Sequence, residues 1–388
     1  MYKIINRKKL VATLLLDSIG KALFLPWKMF RQLGPIQPEN IRNILLIRTA
    51  YIGDVIMTLP MLKPLKARFP QSRITFLTAP GAAQLLEQHP LADEVISFAP
   101  FWFYPTGKAG FSAYLRFIRK LRQRQFDLLI EARGDIREIL FLAAPLRSRY
   151  KVSYGIGGGA YLLTHEVPYN ELRHKVEYHL DICRFLGCPE EPVEWGLRFS
   201  ATEREQATQF LAGLGVRPPY LCAHPGSRLP LKIWPAESCA LLYDQFMEKY
   251  DLPLLLFGGS KADQDLAAQI SNKMRRKPVN LAGKTSLRQM AVLLEQASLF
   301  ICNDSAPMHI AAALQVPTAA IFGPSKSAET RPFSSCGVVV EKDFSCRFNC
   351  DESTCSRTTV QECMKAVLPE DVLRAAETLL VKKGGMSC

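Results

Sequence analysis

The sequence predicts an α/β protein made of two doubly wound parallel sheets, and three observations carry that prediction. Short runs that are apolar throughout, such as "NILLIR", "FDLLIEA" and "LFICND", alternate with helical patterns, as strands covered on both faces of a parallel sheet do. The alternation stops at "CPEEPVEWGLRFS", polar and proline-containing, and then starts again. A chain of 388 residues is also long enough for two ordinary domains, each with its own core. Two such sheets imply a cleft between Rossmann-like domains, with strand ends facing it. Four parts are expected: residues 1–40 as a basic N-terminal segment, 41–195 and 196–366 as the two Rossmann-like domains, and 367–388 as a terminal helix and tail.

The first 31 residues carry Lys3, Arg7, Lys8, Lys9, Lys21, Lys28 and Arg31 against Asp17 alone, a local charge of +6 within an overall +13. An excess of this sign suits nucleic acid, an anionic membrane surface or phosphorylated substrates. Between the charges runs "LVATLLLDSIGKALFLPW". Asp17 and Lys21 interrupt it well before the roughly 20 apolar residues that a membrane-spanning helix needs. On a helical wheel Thr13, Asp17, Gly20 and Lys21 line one side, and Val11, Leu14, Leu15, Ile19, Ala22 and Leu23 the other. That is the pattern of an interfacial helix, with Trp27 and Phe30 as anchors at its end. The plainer alternative is an amphipathic helix packed on its own domain. No small-residue cleavage site of a secretory signal follows.

In the first domain "NILLIR", "RITFLTA", "EVISF" and "FDLLIEA" read as strands. "DVIMTLPMLKPLKARFP" reads as a helix starting at Asp54, with prolines that kink it. "AAQLLEQHP", the strongly basic "FSAYLRFIRKLRQRQ" and "HKVEYHLDICRFLG", ended by Gly187, are the other helices. The glycine-rich "GIGGGAYLL" lacks the strand–glycine–helix setting of a dinucleotide turn and reads as a flexible loop. In the second domain "TEREQATQFLAGLG" is a helix with a Thr202 cap, and "SLRQMAVLLEQA" one opened by Ser286. "WPAESCALLYDQFMEKY", "KADQDLAAQISNKM", "SAPMHIAAALQ" and "LPEDVLRAAETLLVKK" are further helices. "YLCAHPGS", "LPLLLFGG", "VNLAG", "LFICND" and "PTAAIFGPS" supply the strands.

Polar or glycine-bearing loops follow these last strands one after another: "HPGS" with His224, Gly226 and Ser227, "FGGS" with Gly258, then "LAGKTS", "CNDSAPMH" and "FGPS". Loops at strand carboxyl ends converge on one crevice, so the five together predict a ligand pocket. The helix after Asp304 begins near Ser305 and Ala306, and Pro307 suits a first turn that needs no amide hydrogen. Free amides backed by the helix dipole favour an anion such as phosphate there. His309 lies about one turn further on. The alternative leaves Asp304 and Ser305 as helix caps and His309 as a core histidine. Lys232, on the proline-rich loop "SRLPLKIWP", brings a point charge towards the anion site. In the first domain the chain after "NILLIR" holds one glycine, Gly53, and then Asp54. A phosphate-cradling turn would want several glycines and no acid.

The chain from about residue 41 to 383 resembles glycosyltransferase family nine, the bacterial heptosyltransferases of lipopolysaccharide core assembly. The stretches that carry the resemblance are "ILLIRTAYIGDVIMTLPMLKPLKARFP", "AHPGSRLPLKIWP", "NLAGKTSLRQMAVLLEQASLFICNDSAPMHIAAALQVPTAAIFGPS" and "CMKAVLPEDV". The resemblance implies the GT-B fold, an acceptor-binding first domain, an ADP-activated heptose held mainly by the second, and inversion at the anomeric carbon. It implies that Asp54 is the general base towards the acceptor hydroxyl. Lys232 and the amides near Ser305 and Ala306 would stabilise the departing diphosphate. Asp304 would bond the sugar, and His309, His224, Gly226, Ser227 and Gly258 would surround the phosphates. The family commonly has glycine where this chain has Ala306. Asp54→Asn should then keep stability and lose turnover.

Arg133, Asp135 and Arg137 in "EARGDIREI" follow a strand, and arginines there could grip phosphates of a lipid-linked acceptor, or form a solvated loop. Asp263 and Asp265 fall at a helix start and read as partners of its dipole, so metal-independent transfer is expected, with no cofactor and no nucleic acid. Among eleven cysteines, Cys346, Cys350, Cys355 and Cys363 are crowded together, but their spacing matches no standard zinc pattern and they read as reduced structural thiols. The reaction is expected at the cytoplasmic face of the inner membrane, with the protein peripherally attached. Two other readings compete: a nicotinamide oxidoreductase, opposed by the missing G-x-G-x-x-G, and a catalytically silent family member that binds nucleotide-sugar or glycolipid.

Overall fold

The computed structural model describes residues 7–30, 34–104, 110–169 and 173–383. The chain divides into two compact units, Met1–Gly196 and Leu197–Cys388. In the first, strands β1 (Asn43–Arg48), β2 (Arg73–Thr78), β3 (Glu94–Ser97), β4 (Phe126–Glu131), β5 (Ser148–Tyr154) and β6 (His165–Val167) form a parallel sheet in the order β3-β2-β1-β4-β5-β6. In the second, β7 (Leu221–His224), β8 (Leu254–Leu256), β9 (Val279–Asn280), β10 (Leu299–Asn303), β11 (Thr318–Ile321) and β12 (Gly337–Val340) repeat that topology as β12-β11-β10-β7-β8-β9. Each sheet therefore reverses its winding once, between β1 and β4 and between β7 and β10. In open α/β sheets such a reversal is where ligands bind.

The first unit's helices include α1 (Arg7–Phe30), α2 (Ile52–Ile56), α3 (Leu62–Arg68), α4 (Phe111–Leu121) and α5 (Lys175–Phe185). The long helix expected from Asp54 is divided: α2 ends early, a tight turn spans Leu59–Met61, and α3 follows. Pro60 and Pro64 have no amide hydrogen for a continuous helical ladder. Strands β5 and β6 were not legible, because "SRYKVSY" interrupts its apolar side chains with Arg149 and Lys151. On one face of this sheet Leu45, Ile47, Leu77 and Leu129 pack with Tyr114, Ile118 and Leu121 of α4.

The second unit contains α6 (Ala201–Gly213), α7 (Ala236–Tyr250), α8 (Lys261–Lys273), α9 (Leu287–Glu295), α10 (Ala306–Ala313) and α11 (Pro369–Lys383). Ser200, not Thr202, caps α6: its hydroxyl accepts from the Glu203 amide while the Glu203 carboxylate accepts from the Ser200 amide. Ser286 caps α9 in the same reciprocal way. Val372, Ala376 and Leu379 of α11 are buried in one core with Leu254, Leu256, Leu299, Ile301 and Trp234.

Candidate active site

In the first unit β1 ends at Arg48, and the chain turns through Tyr51 into α2. Tyr51 has φ 34°, a left-handed value that a tyrosine adopts only at a cost in strain. Asp54 is the third residue of α2 and not its cap, so its carboxylate is free to point elsewhere. Oδ1 lies 2.8 Å from Arg48 Nη2 and 3.3 Å from Lys175 Nζ at the start of α5. Burial works to raise the Asp54 pKa, but Lys175, Arg48 and Arg133 together outweigh it and hold the carboxyl far below the usual range. Asp54 is thus ionised and surrounded by positive charge.

Behind it, buried His179 is pushed down to about 3, first by burial and then by the Arg48 charge, and is neutral. Its Nδ1 donates to the Met57 carbonyl at 2.8 Å, while the Thr58 hydroxyl donates to the Asp54 carbonyl at 2.9 Å. These bonds fix the carboxyl side of α2 against α5. Arg48, Lys175 and His179 were missed by sequence reasoning. Arg48 carries a faint signal, a charge ending an apolar run; Lys175 and His179 carry none, being more than a hundred positions from Asp54.

The loop after β4 supplies Arg133, Asp135 and Arg137. Asp135 caps a helical turn by accepting from the Arg137 amide at 2.9 Å, and it forms a forked pair with the same residue's guanidinium at 2.9 and 2.7 Å. Both guanidinium groups lie against the Phe103 ring, Arg133 at 4.9 Å and Arg137 at 4.4 Å. Arg133 acts on the Asp54 charge and also pairs with Asp135 at 3.6 Å, while Arg137 is forked onto Asp135. Arg48 Nε and Nη1 and Arg133 Nη1 are buried with no hydrogen-bond partner among the described residues. The carboxyl groups of Glu131 and Glu138 are both buried. Burial, then the charge of Glu138, pushes the Glu131 carboxyl well above its usual range. Glu138 accepts from the Thr49 amide at 3.0 Å, and Glu131 from the Gly134 amide at 2.6 Å. The pair thereby clasps the loops on either side of the β1–β4 reversal.

In the second unit the loops after β7 and β10 are the neighbours at the reversal. Lys232 Nζ is 2.8 Å from Asp304 Oδ2 and 2.7 Å from Glu352 Oε2. Burial pulls the Lys232 pKa down, but the two carboxylates raise it above its ordinary value; Asp304, which burial would raise, is held low chiefly by Lys232. Ser227 Oγ donates to the Asp304 carbonyl at 3.2 Å. Ser305 occupies the N-cap position of α10 in extended conformation but makes no side-chain cap bond; its hydroxyl stands 3.4 Å from Nδ1 of His224, which burial keeps neutral. The first amides of α10, at Ala306 and beyond, are thus not consumed by a side-chain cap. His309 is buried one turn into the helix, near enough to influence the Asp304 charge.

Gly226 and Gly258 have a reason of their own. A β-carbon on Gly226 would meet the Asp263 carboxylate at 2.0 Å, and one on Gly258 would meet the Asp263 β-carbon at 2.6 Å. Asp263 belongs to the capping box that starts α8, and Asp265 pairs with Lys261 at 2.8 Å. The cysteine-bearing stretch from 346 to 363 delivers Glu352 to Lys232 with φ 64° at Glu352, and Gln361 Nε2 donates to the Pro230 carbonyl at 2.7 Å. Cys346, Cys350, Cys355 and Cys363 are free thiols, and among the described residues no three His, Cys, Asp or Glu side chains are grouped to hold a metal ion.

A model of glycosyltransferase family 9 (heptosyltransferase) matches residues 114–360, well over half of the chain. The chain belongs to glycosyltransferase family 9. It is therefore a glycosyltransferase, and the oxidoreductase reading falls. Among curated proteins it is 27% identical over 295 residues to lipopolysaccharide heptosyltransferase 3 of Escherichia coli K12, covering 73% of this chain and 83% of that one. The family 9 glycosyl transferase of Veillonella parvula shares its fold with a TM-score of 0.77 at 24% identity, over 90% of this chain and 99% of that one. The E. coli ADP-heptose LPS heptosyltransferase II does so with a TM-score of 0.70 at 23% identity, over 88% and 100%. The family 9 fold here is GT-B, two Rossmann-like domains in one chain.

Proposed function

We propose that this family 9 enzyme transfers a heptose from an ADP-activated donor to a sugar hydroxyl of a lipopolysaccharide core or related lipid-linked acceptor, with inversion and without a metal. The observation that carries the reading is Asp54: an ionised carboxylate at the β1–β4 reversal, encircled by Arg48, Lys175 and Arg133. The names of the relatives support heptose, ADP and lipopolysaccharide.

In this reading the first unit is the acceptor half. A carboxylate held so low is a weak base, and a general base works best with a pKa near the operating pH. An anionic acceptor resolves the mismatch. Its phosphate or carboxylate takes up Lys175 and the vacant donors of Arg48 and Arg133, and the Asp54 pKa climbs as its cations are drawn off. The acceptor oxygen then attacks the anomeric carbon opposite the diphosphate. The bond from that carbon to the diphosphate oxygen breaks, and the hydroxyl proton passes to Asp54. Arg137 and Asp135 hold the loop in place.

The second unit is the donor half. Lys232 and the amides of Ser305 and Ala306 take the charge that grows on the diphosphate, with His224, Gly226, Ser227, Gly258 and His309 around it and Asp304 bonded to the sugar. A lipid-linked acceptor accords with peripheral attachment at the cytoplasmic face of the inner membrane, and among the described residues no helix is long and apolar enough to cross a membrane. Product mass spectrometry with ADP-, UDP- and GDP-activated sugars and a membrane glycolipid acceptor tests the reading. A mass increase of one heptose with the ADP donor alone is expected. Absence of transfer from every donor, with nucleotide binding intact, would leave the silent-member reading instead.

A further inference from the structure

Helix α1 is seated the wrong way round for a helix that packs on a core. Its small and polar side faces the protein: Thr13, Asp17 and Gly20 are buried. Asp17 Oδ1 accepts from the Gly159 amide at 2.9 Å. A β-carbon on Gly20 would lie 2.3 Å from the Tyr161 ring, and one on Gly158 would lie 2.5 Å from the Thr13 methyl. The glycine-rich stretch expected to be a flexible loop is thus the seat of α1. The large apolar side chains point outward. Val11, Leu14, Leu15, Leu16, Ile19 and Leu23 are all exposed, Leu15 by 61% and Leu23 by 71%. The plainer alternative, an apolar side packed on its own domain, is not what the structure shows. Of the basic flank, Lys3 and Arg31 lie outside the described residues, as do the side chains of Arg7, Lys8, Lys9, Trp27, Lys28 and Phe30.

We propose that α1 lies in the plane of an anionic phospholipid surface, with its outward leucines and isoleucine in the acyl boundary. The charge decides between occupants. The segment's one acid, Asp17, is buried in the seat, and the sequence around it contributes seven basic residues. A second copy of the chain would bring the same positive charge to the contact, whereas anionic lipid neutralises it. The helix binds by lying flat, because Asp17 and Lys21 make it too polar to span.

The seat also ties the helix to the candidate acceptor loop. A β-carbon on Gly157 would meet the Gly134 carbonyl at 2.3 Å, and Gly134 adjoins Arg133. The lipid-lying helix and the Arg133 loop are parts of one packed piece, which sets the height of Asp54 above the bilayer. This deepens the proposed reading of a lipid-linked acceptor and rests on it only for that last step.

The test uses the full chain and vesicles of phosphatidylethanolamine with one quarter phosphatidylglycerol, against vesicles of phosphatidylcholine alone, without donor or acceptor. Flotation should recover the wild type with the anionic vesicles. The variant Leu15→Glu/Ile19→Glu/Leu23→Glu should lose roughly tenfold or more of that partitioning, with an unchanged circular dichroism spectrum and unchanged transfer to a lipid-free oligosaccharide acceptor. Full vesicle binding by the variant, or equal binding of the wild type to neutral vesicles, overturns the proposal. So does a lipid-free wild-type dimer, in sedimentation velocity, that the variant abolishes. Vesicle binding by a wild type that transfers no sugar would refute the proposed reaction and leave the helix assignment standing.

Discussion

Asp54→Asn is the substitution on which the mechanism turns, and the structure changes what it should do. The sequence alone led us to expect stability to be kept. Yet the carboxylate sits among three cations, one of which, Arg48, is only 3% exposed. Taking one partner from a buried pair costs about 3–5 kcal/mol. Asparagine retains an oxygen for the Arg48 guanidinium and Asp54 is partly open to solvent, so about 1–3 kcal/mol is the expected loss at pH 7. The sign of the pH dependence follows from the depressed pKa. The contribution of Asp54 is fully present above its unfolded value of about 4 and fades as pH falls below it, so variant and wild type converge in acid. Turnover should fall by about 10²–10⁴ if Asp54 takes the acceptor proton. The assay is the initial rate of glycosylated product by mass spectrometry at saturating donor and acceptor, with urea unfolding in parallel. A folded variant that turns over within about threefold of wild type removes Asp54 from the role of base. Should the variant prove too unstable, Lys175→Met tests the same idea with the carboxylate in place: it raises the Asp54 pKa, and an acid limb in kcat/KM should move to higher pH.

Lys232→Met should lower turnover by about 10²–10³ and weaken ADP binding in calorimetry; unchanged kcat would free the leaving group from that residue. Glu352→Gln removes a carboxylate that competes with the diphosphate for Lys232, and ADP should bind about two- to fivefold more tightly, with weaker binding arguing the opposite. His179 is held near 3 in the fold, so acid favours the unfolded chain, which takes up a proton below about 6.5 that the native state refuses. Stability of the wild type should fall by on the order of 3 kcal/mol between pH 7 and 4 from this group, and His179→Gln should flatten that part of the urea-midpoint profile.

What the sequence disclosed was local. Strands such as β1 and β10 are uninterrupted apolar runs, and the loops after β7 and β10 announce themselves by glycine, proline and small polar residues just past each run. Lys232 and Asp304, placed on those loops by sequence, do meet at 2.8 Å. The surroundings of Asp54 were not disclosed, because its partner Lys175 is 121 positions away and nothing in an amphipathic helix marks which lysine will face a distant strand end. Strand β5 was hidden by its charges. For α1 the wheel gave both stripes, and the interfacial reading already turned the leucines outward, but it did not show what holds them there. Burial of apolar area would have turned the leucines inward, and only the glycine seat, which lets Thr13, Asp17 and Gly20 approach closely, turns them out.

The last prediction concerns why the first unit can hold three cations and an acid in place without a ligand. Glu131 and Glu138 are wholly buried, and two charged carboxylates could not share that space. Burial and the Glu138 charge push the Glu131 carboxyl well up, and the pair accepts from Thr49, Gly134 and Ser153, the last at 2.5 Å. Thr49 precedes the strained Tyr51 and the helix of Asp54, while Gly134 follows Arg133, so the clasp sets the spacing between base and arginine. Glu138→Ala strands the buried Thr49 amide and opens a cavity, a loss of about 3–5 kcal/mol. Glu138→Gln keeps an acceptor for Thr49 and fills the same space, and should cost about 1–2 kcal/mol. The difference in urea midpoint between the two variants is the measurement. If alanine and glutamine unfold together, the carboxyl pair is not a clasp, and the strain at Tyr51 must be held by the packing of α2 against α5 alone.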